Sequence, residues 1–138
     1  MARKKRIWAK DLELGVEALD AEHRLMVDLV DDLEGTLAAP EDRERAAATI
    51  RRLLAFTQIH FRAEDLLMRL HAYAGHQAHA VEHSQLAEQL SELQEAHSRG
   101  DLPVTREIVA ALREWLGGHI RTQDRTLAAF LRSVGVTA

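Results

Sequence analysis

A chain of 138 residues is long enough to bury one hydrophobic core without covalent staples. The absence of cysteine excludes disulfides, zinc–thiolate sites and iron–sulfur clusters, and the absence of an 18-residue apolar run excludes a membrane-spanning helix. A net charge of −4, with acids and bases interleaved, argues against a nucleic-acid surface, and the basic head at residues 3–6 has no apolar run behind it to form a secretory signal, so a cytoplasmic protein is expected.

Abundant alanine, leucine, glutamate and arginine, with only 4% aromatics, point to an all-helical fold. Residues 7–16 lack helical phase and read as an extended arm anchored by Trp8 and Leu12. Asp20 reads as the N-cap of a first helix over about residues 20–38, whose inward stripe is Leu19, His23, Met26, Val30, Leu33 and Leu37. Those steps of four and three make a heptad seam. A second helix over about 40–72 carries the stripe Ile50, Leu53, Thr57, His60, Glu64, Leu67 and His71. A third over about 76–98 carries His79, His83, Leu86, Leu90 and Leu93. A fourth over about 104–133 carries Ile108, Leu112, Trp115, His119 and Thr122. Pro40 and Pro103 fall where helices begin, and Gly75 and Gly100 fall between them. The expectation is an all-α, antiparallel up-down-up-down four-helix bundle with an N-terminal extended arm. It forms a single domain over 1–138, with the arm at 1–18 and the bundle at 19–133.

Polar residues interrupt every seam, and a polar side chain in a bundle core must be satisfied. Each helix contributes histidine, and the second and fourth add Glu64 and Asp124. His79 and His83 are four apart, so both rings leave one face and can grip one ion; His60 and Glu64 repeat that spacing. His23 and His119 complete the set. A lone core histidine is more often a hydrogen-bonded packing residue than a ligand. The convergence of several on four inward faces favours a metal centre. Asp124 is out of phase: five steps of about 100° leave it roughly 140° from His119. It reaches inward through local unwinding, a reach from the flank, or a π-type turn. His71, His76 and His97 read as surface or helix-end residues. Imidazole and carboxylate without thiolate suit iron, zinc, copper or manganese, and seven ligands suit two ions bridged by two carboxylates better than one tetrahedral zinc.

The segments LGVEALDAEH (14–23), HFRAE (60–64), HAVEH (79–83) and WLGGHIRTQD (115–124) resemble the hemerythrin family, specifically its stand-alone bacterial members. The resemblance runs from Trp8 to Leu131. It implies two iron ions, oxo- or hydroxo-bridged, with Glu64 and Asp124 spanning both. His79, His83 and His119 would hold one ion and His23 and His60 the other, which keeps an open position for dioxygen as ligand. It also implies a dioxygen pocket of Phe61, Trp115, Leu116 and Ile120, to which Met26, one turn past His23, is added. Glu22 stands where family members often carry glutamine, which either alters hydrogen bonding around the site or adds a surface charge. Gly117 and Gly118 cost about 1 kcal/mol each inside a helix, and either ease the unwinding Asp124 requires or open a channel.

The implied function is reversible dioxygen binding for carriage, storage or delivery, not enzymatic turnover, by a monomer whose partner would be an oxygen-consuming protein. Rival readings are a dioxygen or nitric oxide sensing module and a di-iron oxidase or peroxidase. Ferritin-like oxidising bundles use carboxylate-rich shells with paired Glu-x-x-His motifs, and the histidine-rich set here lacks them.

Overall fold

The computed structural model describes residues 9–101 and 103–138. Every long element in them is helical: α1 (Glu17–Gly35), α2 (Arg43–Leu70), α3 (His76–Ser98), α4 (Arg106–His119) and α5 (Arg125–Ser133). A π-helical segment, Ile120–Asp124, joins α4 to α5, so these three make one continuous fourth rod. Short joints force neighbouring rods antiparallel, giving the four-helix bundle. None of the described helices is long and apolar enough to cross a membrane.

The heptad seams are buried along most of α1, α2 and α3, whereas Leu37, Leu67, His71, Ile108 and Trp115 on the expected stripes are only partly buried, and α4 buries Val109 and Leu116 beside Leu112 and His119. Leu19, His23, Met26, Val30 and Leu33 of α1 are buried, as are Ile50, Leu53, Thr57, His60 and Glu64 of α2 and His79, His83, Leu86, Leu90 and Leu93 of α3. Each apolar member contributes about 1.5–3 kcal/mol by leaving water. Two ends carry side-chain caps worth about 1 kcal/mol each. Asp42 accepts from Arg45 N at the start of α2, and Thr105 accepts from Ile108 N at the start of α4. The α3–α4 turn ends α3 on Gly100, whose φ of +80° only glycine adopts cheaply.

Three expectations need correction. Asp20 is not the N-cap of α1: Val16 is, and the helix starts at Glu17. The Asp20 carboxylate instead accepts from Leu14 N at 2.9 Å and Gly15 N at 3.2 Å, stapling the arm to the first turn. Its capping chemistry is the expected one, but its donors lie upstream of the helix. Thr122 does not lie on an inward stripe; it is exposed because the π segment shifts the phase there. Its hydroxyl donates to Gly118 O at 2.7 Å, and Thr126 donates to Thr122 O at 3.1 Å, engaging carbonyls where helical bonding changes register. His97, placed as expected at the end of α3, is buried rather than on the surface.

The arm is a short 3-10 turn, Lys10–Leu12, followed by extended chain, with Leu12, Leu14 and Val16 inward at every second residue. The proposed anchor Trp8 lies outside the described residues. The fourth rod holds the arm by its arginines: Arg121 Nε donates to Asp11 Oδ2 at 2.6 Å, Arg125 to Asp11 O, and Arg132 to Leu14 O.

Candidate metal centre

In the bundle interior, five buried histidines from α1, α2, α3 and α4 meet at two buried carboxylates, Glu64 of α2 and Asp124 of the π segment. The carboxylates split their oxygens between two positions. Glu64 Oε1 lies 3.0 Å from His79 Nε2 and 3.2 Å from His83 Nε2, while Glu64 Oε2 lies 3.0 Å from His60 Nε2 and 3.5 Å from His23 Nε2. Asp124 Oδ1 lies 2.9 Å from His79 Nε2 and 3.1 Å from His119 Nε2, and its Oδ2 lies 3.0 Å from His23 Nε2. Two ligand groups result, His79, His83 and His119 in one and His23 and His60 in the other, with Glu64 and Asp124 common to both; within each group the donor atoms lie within 4.8 Å of one another.

Local folding explains the meeting. His60 and Glu64, like His79 and His83, sit one helical turn apart on straight helices. Asp124 reaches the site through the π segment, whose i→i+5 turn returns it to the face of His119. The sequence left that choice among three routes open.

The electrostatics are those of two anions wrapped in imidazole. Burial pushes the Glu64 carboxyl up, but hydrogen bonds from His23, His60, His79 and His83 hold it well below its usual range. Burial and the Glu64 charge push Asp124 up, and hydrogen bonds from His119, His23 and His79 outweigh them. Burial lowers His60, yet Glu22 and Glu64 raise it to about 10; burial lowers His79, yet Asp124 and Glu64 raise it to about 9. His23 and His119 are raised by the same contest, whereas burial wins at His83 and lowers it.

The donor set fits two cations of the iron or zinc type. The Nε2 atoms of five imidazoles aim inward, and Glu64 Oε2, Asp124 Oδ1 and His23 Nε2 are buried without a well-formed hydrogen bond. In a bundle core such atoms are stabilised by an ion. The sequence profile of the hemerythrin HHE cation binding domain matches residues 14–131.

The chain belongs to the hemerythrin family.

It is 28% identical over 117 residues to a bacteriohemerythrin of Methylococcus capsulatus, covering 85% of this chain and 88% of that protein. It is 30% identical over 120 residues to a bacteriohemerythrin of Pseudomonas aeruginosa, covering 86% of this chain and 76% of that one. A wild-type hemerythrin crystal structure superposes with a TM-score of 0.85 at 26% identity, over 90% of this chain and 95% of its own.

The pocket residues expected from the hemerythrin resemblance divide into two kinds. Phe61 stacks on His83, ring centroids 3.7 Å apart, and Trp115 stacks on His119 at 4.9 Å, so both aromatics brace rings of the three-histidine group. Met26, Leu116 and Ile120 are buried. Leu116 and Gly117 also line a surface cleft of about 190 Å³ with Leu12, Val27, Val30 and Arg121. A Cβ on Gly117 would come within 2.7 Å of the Arg121 guanidinium, while one on Gly118 would meet nothing, so the two glycines are not equivalent.

The remaining histidines stay away from the carboxylate pair. His71 caps the end of α2, His76 opens α3 with Nε2 2.5 Å from Asp65 Oδ1, and His97 ends α3. Two residues that the helical phase did not single out as part of the site touch it from outside. Glu22 Oε1 accepts from His60 Nδ1 at 2.5 Å, and Glu82 Oε1 accepts from His119 Nδ1 at 2.8 Å. Each directly precedes a histidine of the site, and Glu22 had a second signal in the resemblance, where its contact with His60 bears out the expected change in hydrogen bonding around the site.

Proposed function

We propose that this hemerythrin binds dioxygen reversibly at a non-haem di-iron centre. The observation that carries the reading is the sharing of Glu64 and Asp124 between two unequal histidine groups. His79, His83 and His119 would hold one iron, and His23 and His60 the other, leaving the second with one fewer protein donor and room for a small ligand. A ferrous pair supplies the electrons that bound dioxygen needs. Glu64 and Asp124 hold the ions together and balance their charge. Met26, Leu116 and Ile120, which are apolar and buried, would line the dioxygen pocket and exclude water and protons. The relatives named bacteriohemerythrin, together with a myohemerythrin of Theromyzon tessulatum at 27% identity, support the reading.

On this reading residues 1–138 form one cytoplasmic, monomeric domain that carries or stores dioxygen without turnover. The test is anaerobic reconstitution with ferrous iron, iron counting, and titration with dioxygen followed by its removal. Two irons per chain, one dioxygen per pair, and recovery of the starting spectrum are expected. One metal per chain, or continuous consumption of dioxygen, would overturn the reading.

A further inference from the structure

Only some of the rings in the centre have a partner on their outer nitrogen. The Nδ1 atoms of His23 and His79 are buried with no hydrogen-bond acceptor. His60 and His119, one from each ligand group, instead donate Nδ1–H to a carboxylate: His60 to Glu22 at 2.5 Å and His119 to Glu82 at 2.8 Å. Both glutamates lie at the protein surface, their side chains 33% and 34% exposed, yet each acceptor oxygen is aimed at a ring that is almost wholly buried. Each comes from the neighbouring helix: Glu22 on α1 reaches a ring on α2, and Glu82 on α3 reaches a ring on α4.

We propose that Glu22 and Glu82 are positioning residues of the metal centre, one for each ion, which hold His60 and His119 with Nε2 bare for the metal and strengthen those two imidazoles as donors. The proposal rests on the di-iron reading and goes beyond its ligands. An imidazole binds a cation through a nitrogen without a proton, so its single proton must sit on the other nitrogen. A carboxylate at Nδ1 selects that tautomer and fixes the plane of the ring. Its negative charge also pushes electron density through the ring toward the ion, which favours the more oxidised state. Glu22 acts on the two-histidine half, where the ion has a position to spare. Glu82 acts on the three-histidine half, where Trp115 already clamps the His119 ring from one side. The weight carried by the carboxylate is therefore greater at Glu22 than at Glu82.

The alternative is a pair of surface ion pairs that happen to touch the site. Four variants separate the two: Glu22→Gln and Glu82→Gln, which keep an acceptor oxygen but no charge, and Glu22→Ala and Glu82→Ala, which keep neither. Glu88→Gln, exposed on α3, is the control. Each full-length protein is titrated anaerobically with ferrous iron against a competing chelator, and its midpoint potential is measured by mediated titration. In the alanine variants the affinity of one of the two ions is expected to fall about tenfold to a hundredfold, more for Glu22→Ala than for Glu82→Ala. The glutamine variants recover most of that affinity but keep a midpoint displaced to positive potential, a signature that loss of a surface ion pair does not produce. Circular dichroism of the metal-free variants matching the parent assigns the change to the site. Alanine variants that bind two ions with the parent's affinity and midpoint would overturn the proposal. A parent chain that binds no iron would instead overturn the di-iron reading itself.

Discussion

His83 Nε2 and His119 Nε2 face each other at 3.1 Å across the buried contact between α3 and α4. A shared proton can relieve one such contact, but both lone pairs also point toward Glu64 Oε1 and Asp124 Oδ1. A cation relieves all four atoms together, so metal binding and folding are coupled. Removing the metal with a chelator is expected to lower the thermal midpoint. At a free-ion concentration of 100 times Kd the linkage is about 2.7 kcal/mol, or roughly 8 °C for a chain of this size. Scanning calorimetry of loaded and stripped protein measures it, and coincident transitions would contradict the coupling.

The same contacts set a pH dependence of opposite sign in the two forms. Without metal, His60 and His79 are raised to about 10 and about 9, above the ordinary histidine value near 6.5. Their contribution to stability is complete below about pH 6.5 and is lost as pH rises through their folded values. Glu64 and Asp124 are held low, so their contribution is present above the ordinary carboxylate range and lost as acid titrates them. With metal bound, the imidazoles must be neutral, and rising pH removes the competing proton. The gap between loaded and stripped melting temperatures should therefore widen from pH 6 to pH 9. A gap that stays constant or narrows would show that protons and metal do not compete for these rings.

The heptad seams were legible because burial in a bundle selects every third or fourth residue, and six polar interruptions of those seams, His23, His60, Glu64, His79, His83 and His119, are among the seven side chains that meet. What the seams could not convey lies off their phase. Asp20 has the chemistry of a cap, and only the path of the arm shows that it accepts from Leu14 and Gly15. Glu82 sits outside the inward stripe of α3, so its contact with His119 depends on how two helices pack, which periodicity does not encode. For Asp124 the sequence exposed a phase error without its remedy, and the π segment at Ile120–Asp124 is that remedy.

A π turn is one residue more than the α-helix needs. Deleting Thr122, exposed within the π segment, would leave His119 and Asp124 four apart, the spacing that His60 and Glu64 already use on α2. The deletion variant should fold, melt at or above the parent temperature when metal-free, and still take up two ions. Adding an alanine after Thr122 should turn Asp124 away and abolish binding at one position or both. Metal counting on the two variants checks the pair, and failure of the deletion variant to bind metal would mean that the wider turn itself shapes the site.

On the proposed reading, Leu116 would separate the centre from the solvent. It is buried on the turn before His119, and it forms part of the wall of the cleft that opens beside Gly117 and Arg121. It is not one of the donors, so Leu116→Ala should keep two irons per chain. Truncation removes apolar volume from the core and should cost about 2–4 kcal/mol, as at other buried leucines. It also joins the cleft more directly to the apolar surroundings of the site. Water admitted there would bring protons, and on the di-iron reading protons at the site would favour irreversible oxidation of the centre over release of dioxygen. The rate of that irreversible loss should rise while equilibrium affinity changes little, because affinity depends on the ions and their donors. The measurement is the decay of the oxygenated absorption band in Leu116→Ala against the parent, at equal iron content. Equal decay rates would show that the wall at Leu116 does not control water entry, and would shift that role to Met26 and Ile120.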